Sequence, residues 1–213
     1  MPRTLSPIDH LIANVDQGIR TVFGKPAITE RANPANSVDE GEMSDAEKIL
    51  SARLMRVNHS GEIAAQALYQ GQALTARNNN VKTQMERSAQ EEYDHLDWCE
   101  KRVKTLGSHT SYLNPLVYTG SLAIGALAGA IGDKWSLGFV VETEKQVGKH
   151  LEEHLGRLPK NDHKSRAVLE QMDIDEAHHA DVAKNAGAAE LPPPVKVAMK
   201  FTSKLMTRSA YWI

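Results

Sequence analysis

Apolar residues recur at intervals of three and four along nearly the whole chain, while alternating runs bounded by turn residues are scarce, so the pattern predicts helices throughout. Ile8, Leu11, Ile12, Val15, Ile19, Val22 and Phe23 make an amphipathic helix of residues 6–23, stopped by Gly24 and Pro26. Residues 25–43 show no period and read as a linker. Ser44 and Glu47 form a capping box that opens a long helix to about Arg77. Asn78-Asn79-Asn80 is a tight connection to a second helix, from about 81 to Leu106, stopped by Gly107. A third helix is expected from about 120 to 157, and a fourth, capped by Asn161 or Asp162, to about 186. Gly187 and Pro192-Pro193-Pro194 set off a C-terminal amphipathic segment, 195–211. The linking stretch 107–119, extended at ~3.3 Å per residue, spans about 43 Å, enough to run the length of a helix and let the second and third helices lie side by side. The expected organisation is an N-terminal helix and linker (1–43), a four-helix bundle (44–187) and a basic segment packing on bundle or membrane (188–213).

Two of these helices carry a Glu-x-x-His unit, Glu92-Tyr-Asp-His95 and Glu176-Ala-His-His179. At a spacing of three, both side chains leave the same helical face and can bind one metal ion. Stepping from Glu92 by threes and fours reaches Met85, Ala89, Cys99, Val103 and Leu106, so the acid lies inside the apolar stripe. Glu176 sits likewise among Leu169, Met172, Ala180 and Ala183; Glu144 among Leu137, Val140, Val141, Val147 and Leu151; Glu62 on a face with Met55, Ala65 and Tyr69. Ionised carboxylates in a core need hydrogen-bonded partners or a metal. A lone Glu precedes each Glu-x-x-His by a similar distance, 30 residues from Glu62 to Glu92 and 32 from Glu144 to Glu176, as in two related helix hairpins. Four Glu and two His facing one interior make the two-metal carboxylate site of ferritin-like bundles, and four carboxylates balance two divalent ions. The competing picture is a bundle whose buried Glu and His pair only with each other. Glu142 competes with Glu144, but its steps reach Lys145, Gln146 and Lys149, a wet face; Asp175 with His178 competes with Glu176 and His179, which have the more apolar neighbours.

Composition narrows the chemistry. The 213 residues carry 25 Lys+Arg against 27 Asp+Glu, a net charge of −2 that argues against a chain held by nucleic-acid phosphates. The single Cys99 excludes an internal disulfide, four-cysteine zinc sites and cysteine-bound iron–sulfur clusters, and reads as a small buried hydrophobe. The first residues lack the apolar region of a secretory signal. No phosphate-cradling loop or catalytic triad is present, so reducing equivalents must come from outside. His59 and His150 are open to a role orienting ligands, and Tyr69 to a hydrogen bond with one, beside plain packing for each.

From Thr110 to Gly132, 23 residues carry no Asp, Glu, Lys or Arg. That is long enough for a membrane span, yet Asn114, Pro115 and four glycines dilute it, which favours a helix dipping into one leaflet or lining a substrate tunnel. After Glu190 no acid occurs, while Lys196, Lys200, Lys204 and Arg208 recur every fourth residue beside Val197, Phe201 and Leu205. This is a basic amphipathic helix suited to an anionic membrane surface, with Trp212 at the interface, or one docked on the bundle with a solvated Lys face.

Arg56-Val-Asn-His-Ser-Gly-Glu62, Glu92-Tyr-Asp-His95, Glu144 and Asp175-Glu176-Ala-His-His179 resemble the signature of the demethoxyubiquinone hydroxylases, di-iron enzymes of ubiquinone biosynthesis, and the resemblance runs from about Leu54 to the C-terminus. It implies an all-α, ferritin-like di-iron bundle and O2-dependent hydroxylation of the benzoquinol ring of a polyprenyl demethoxyubiquinol. Two irons are expected, one held by Glu62, Glu92 and His95, the other by Glu144, Glu176 and His179, with Glu92 and Glu176 bridging. Also implied are an external electron donor and peripheral attachment to the cytoplasmic face of a bacterial inner membrane; the sequence is compatible with a homo-oligomer. A ferritin-like ferroxidase or iron store is the alternative, and it leaves the uncharged run and basic tail unexplained.

Overall fold

The computed structural model describes residues 6–24 and 31–213, and among them every regular element is helical. The chain forms α1 (Pro7–Phe23), a 3-10 turn at Pro34–Ser37, α2 (Asp45–Thr75), α3 (Asn79–Thr105), α4 (Asn114–Ile131), α5 (Asp133–Arg157), α6 (His163–Asn185) and α7 (Pro193–Trp212). The expected capping box is present: Ser44 Oγ accepts from Glu47 N, and the Glu47 carboxylate accepts from Ser44 N at 2.8 Å.

Helices α2, α3, α5 and α6 enclose the core. Opposed contacts set their directions. Gln72 Nε2 donates to Ser136 O at one end of the α2–α5 pair, and Asn58 Oδ1 lies 3.0 Å from His154 Nδ1 toward the other, so these helices are antiparallel. Arg102 meets Ser165 while Glu91 meets His179, so α3 and α6 are antiparallel too. One apolar cluster, including Leu54, Met55, Trp98, Cys99, Leu151, Leu169 and Met172, fills one part of the interior. A second, including Tyr69, Met85, Ala89, Leu137, Val140 and Ala183, fills another. Positions 62, 92, 95, 144, 176 and 179 fall between them along their helices.

The third helix departs from expectation. It is broken at Gly132, whose φ of +140° is a conformation that a residue with a Cβ rarely adopts. The apolar run becomes its own helix, α4, which starts at Asn114 beside Ser60 and ends near Thr75, parallel to α2. A helix therefore makes the crossover that was expected of an extended 107–119 stretch. It lies so close to α2 that a Cβ on Gly71 would meet the backbone of Leu122, and one on Gly125 the backbone of Leu68. Asp133 then ties the start of α5 to the α2–α3 turn, its carboxylate accepting from Arg77 N at 3.0 Å and Asn78 N at 2.9 Å.

Helix α7 lies on the bundle along α2 and α5, with Gln146 Nε2 reaching Lys196 O and Arg53 stacked over Trp212 at 4.5 Å. Ala210 is its one buried residue, and Val197, Phe201, Leu205 and Trp212 stay exposed. On α4, Leu116, Leu127 and Ile131 are exposed, as are Ile8, Ile12, Val15, Ile19 and Phe23 on α1. Within the expected linker, positions 25–30 lie outside the described residues, and 31–43 cross the α3–α6 seam. There Arg31 reaches Asp94 and Asp175, and Glu40 pairs with Arg102, which also holds the buried Asp162 at 2.6 Å.

Candidate metal centre

Each inner helix delivers its acid because that residue occupies the inward stripe: Glu62 from α2, Glu92 and His95 from α3, Glu144 from α5, Glu176 and His179 from α6, all buried. Their ligating atoms form two groups, each lying within 4.8 Å: Glu62, Glu92, His95 and Glu176, and Glu92, Glu144, Glu176 and His179. Glu92 and Glu176 belong to both. His95 turns Nδ1 to the centre, 3.1 Å from Glu92 Oε2, 3.3 Å from Glu176 Oε1 and 3.6 Å from Glu62 Oε2. His179 does the same, its Nδ1 lying 3.2 Å from Glu92 Oε1 and 3.3 Å from Glu176 Oε2.

The electrostatics are those of crowded acids out of water. Burial, and then the neighbouring Glu176 and Glu92, push the Glu144 carboxyl well above the usual range; burial does the same to Glu62. Burial also opposes charge on Glu92, but His95 and His179 overcome it and hold that carboxyl well below its ordinary value. Burial works against the imidazolium of His179, yet the adjoining Glu176 and Glu92 carboxylates push it up to about 12, and His95 moves in the same direction. Tyr69 donates its hydroxyl to Glu144 Oε1, and burial followed by these acids holds the phenol protonated. Glu62 Oε2 and Glu92 Oε1 are buried without a directed hydrogen bond. Hard carboxylate oxygens and imidazole nitrogens converging on orphaned acceptors are a donor set for divalent transition-metal ions, and two such ions match the four carboxylates in charge. The residues present therefore fit a pair of metals.

The competing positions go elsewhere. Glu142 accepts from Gln146 and neighbours Lys196, away from the cluster. His178 is exposed, whereas Asp175 meets the outer nitrogen of His95, Nε2, at 2.9 Å. Neither His59 nor His150 touches a clustered acid: His59 neighbours Asn114, and His150 packs against His154 with the rings tilted by 56°. Cys99 is buried, with Sγ against Met172 Sδ at 3.7 Å. Sequence reasoning passed over Glu91, whose Oε2 lies 2.6 Å from His179 Nε2, and Arg31, which binds Asp175 at 2.7 Å. The available signal was an acid immediately before each Glu-x-x-His unit.

The family model described as ubiquinone biosynthesis protein COQ7 matches residues 49–210. A 3-demethoxyubiquinol 3-hydroxylase of Nitrosococcus oceani is 60% identical over 211 residues, 99% of each chain. Proteins of the same name from Nitrosomonas europaea and Chromohalobacter salexigens are 54% and 53% identical, over 97% and 99% of this chain and 99% of theirs.

Proposed function

This chain belongs to the ubiquinone biosynthesis protein COQ7 family, and we propose that it uses a pair of irons between its four inner helices to hydroxylate a polyprenyl demethoxyubiquinol at the membrane surface. It is a 3-demethoxyubiquinol 3-hydroxylase, a hydroxylating monooxygenase of ubiquinone biosynthesis; the iron-storage alternative is not favoured. The observation that carries the metal reading is the pair of interleaved Glu/His groups sharing Glu92 and Glu176. In that reading Glu62, Glu92 and His95 would hold one iron and Glu144, Glu176 and His179 the other, Glu92 and Glu176 being the acids common to both groups.

Such a pair, when bound, supplies the redox chemistry by which one oxygen atom of O2 enters the ring and the other leaves as water, with two electrons from an external donor and two protons. The residues of the chain set the conditions for it. The six buried donors would hold the ions, and their carboxylate oxygens would suit both ferrous and ferric charge. Tyr69 restrains Glu144 through its hydroxyl. The apolar clusters that hold Leu54, Met55 and Leu151, and Leu137 and Val140, keep bulk water from the acids.

Support for a membrane-surface site comes from the outer helices. Helix α4 has a mean hydropathy of 1.3 over its 18 residues with 22% of it buried, and exposed apolar side chains line α1 and α7. A groove of about 540 Å³ between α5 and α7, bordered by Phe201, Leu205 and Trp212 and by the cationic Arg157, Lys204 and Arg208, opens beside that surface and reaches Val57 of α2, where the polyprenyl tail could lie along its apolar side. This surface and the basic tail support the reading of peripheral attachment, which we place at the cytoplasmic face of a bacterial inner membrane. The test is hydroxylation of demethoxyubiquinol under 18O2 by iron-loaded protein. The proposal expects one labelled oxygen per product and its loss in Glu62→Ala and Glu144→Ala; unlabelled product, or full activity of either variant, would overturn it.

A further inference from the structure

We propose that Glu91 and Asp175 are positioning residues, each aligning the imidazole of the opposite Glu-x-x-His unit so that its Nδ1 faces the metal. The inference rests on the two-metal reading above and adds to it the groups that orient the ligands.

The geometry is reciprocal. Asp175, just before Glu176 on α6, has Oδ2 2.9 Å from His95 Nε2 on α3. Glu91, just before Glu92 on α3, has Oε2 2.6 Å from His179 Nε2 on α6. Because α3 and α6 are antiparallel, an acid one residue before each unit falls opposite the histidine that ends the other. Both imidazoles turn Nδ1 to the clustered carboxylates, so both must carry their proton on Nε2 once Nδ1 binds a metal, and each Nε2 then donates to a carboxylate outside the cluster.

Each outer acid is itself held. Arg87, one turn earlier on α3, binds Glu91 at 3.0 Å, and Gln171, one turn earlier on α6, donates to Asp175 Oδ1 at 3.0 Å. Arg31 adds a 2.7 Å contact to Asp175 from the segment that crosses the seam. The charges separate into layers: four inner carboxylates for two divalent ions, and outside them Glu91 paired with Arg87 and Asp175 sharing Arg31 with Asp94. An acid paired with an arginine, as Glu91 is with Arg87, can accept from a histidine while adding less negative charge to the site, and Asp175 has a shared arginine and Gln171 for the same purpose. The supports differ in setting. Asp175 lies under the crossing segment, while Glu91 lines an open pocket of about 340 Å³ with Arg87, Ser88, His178 and His179.

The experiment uses the full-length protein labelled with 15N-histidine and loaded with Zn(II), read by long-range 1H–15N correlation and by competition for Zn(II) with a chromophoric chelator. Wild type should take up two ions and show both histidines with the proton on Nε2. Glu91→Ala should disturb the His179 resonances and spare His95, Asp175→Ala the converse, and each should weaken one of the two ions by ~10–100-fold. Glu91 is partly exposed, so its variant folds and decides the matter alone if Asp175→Ala does not. A disturbance confined to the histidine of the same unit, or equal on both, or none, overturns the positioning role while leaving the metal reading intact. Wild type that takes up fewer than two ions overturns that reading first.

Discussion

Replacing Phe201 by Glu tests the proposed membrane face of α7 at its centre. Val197, Phe201 and Leu205 are 68%, 71% and 62% exposed, so about two-thirds of each side chain is left to be buried by something other than the bundle. Full burial of a large apolar side chain is worth ~1.5–3 kcal/mol, which leaves ~1–2 kcal/mol per residue for transfer into the interface. Phe201→Glu gives up about 2 kcal/mol of this, a factor of ~30 in partition coefficient, before any repulsion between the new carboxylate and anionic lipid is counted. The assay is cosedimentation with vesicles of phosphatidylethanolamine and phosphatidylglycerol. Trp212, 64% exposed at the end of the same helix, serves as a fluorescence reporter. Raising the salt concentration should weaken the contribution of Lys200, Lys204 and Arg208 in both proteins and leave the apolar deficit of the variant in place. Because Phe201 is exposed, stability should change by less than ~0.5 kcal/mol. Binding of the variant within threefold of wild type, or wild type that stays in the supernatant, would refute the reasoning.

Other outcomes follow from the interior. Glu144→Ala removes one of the two acids, with Glu62, that belong to a single group, and iron content should fall from two per chain toward one, with the antiferromagnetic coupling lost in Mössbauer spectra. Arg102→Ala strands Asp162, which is fully buried, and should cost ~3–5 kcal/mol in urea unfolding; Arg102→Lys, lacking the planar fork, should recover only part. Burial, then Lys104, holds His59 down to about 3, and burial, then His150 and Arg157, holds His154 down to about 2. Between those values and 6.5 the unfolded chain takes up protons that the native protein refuses, so stability falls with pH, by ~2 kcal/mol per histidine at pH 5. His59→Gln and His154→Gln should each reduce the difference in unfolding free energy between pH 7.5 and pH 5 by that amount, and an unchanged difference sinks the argument. Gly125→Val forces a side chain against the Leu68 backbone and should destabilise the protein by ~1–3 kcal/mol in thermal or urea unfolding.

What could be read from the pattern and what could not divide along a physical line. Helix faces are local: spacings of three and four put Glu62, Glu92, His95, Glu144, Glu176 and His179 on inward stripes before any contact was known, and in the structure these residues converge. Gly132 was passed over because apolar residues keep helical spacing on both sides of it. A glycine that packs, such as Gly125, and a glycine that breaks, at φ +140°, look alike in a one-dimensional pattern. The crossover was misread for the same reason, since an uncharged run fits a tunnel wall, a buried helix or one exposed to lipid, and the face that α4 turns to α2 depends on glycines in both. The outer acids lie further from reach. Glu91 and Asp175 acquire a role only through the antiparallel register of α3 against α6, and Arg31 only because a segment without periodicity crosses that seam. One trace of that register does survive in the sequence: an acid directly before each Glu-x-x-His lands on the partner helix's histidine whenever two such helices pack antiparallel about a shared pair of ligands. Asp175 first presents itself as a rival ligand to Glu176, and the 2.9 Å contact to His95 Nε2 turns that rivalry into a division of labour, with one acid facing the centre and its neighbour holding the opposite imidazole.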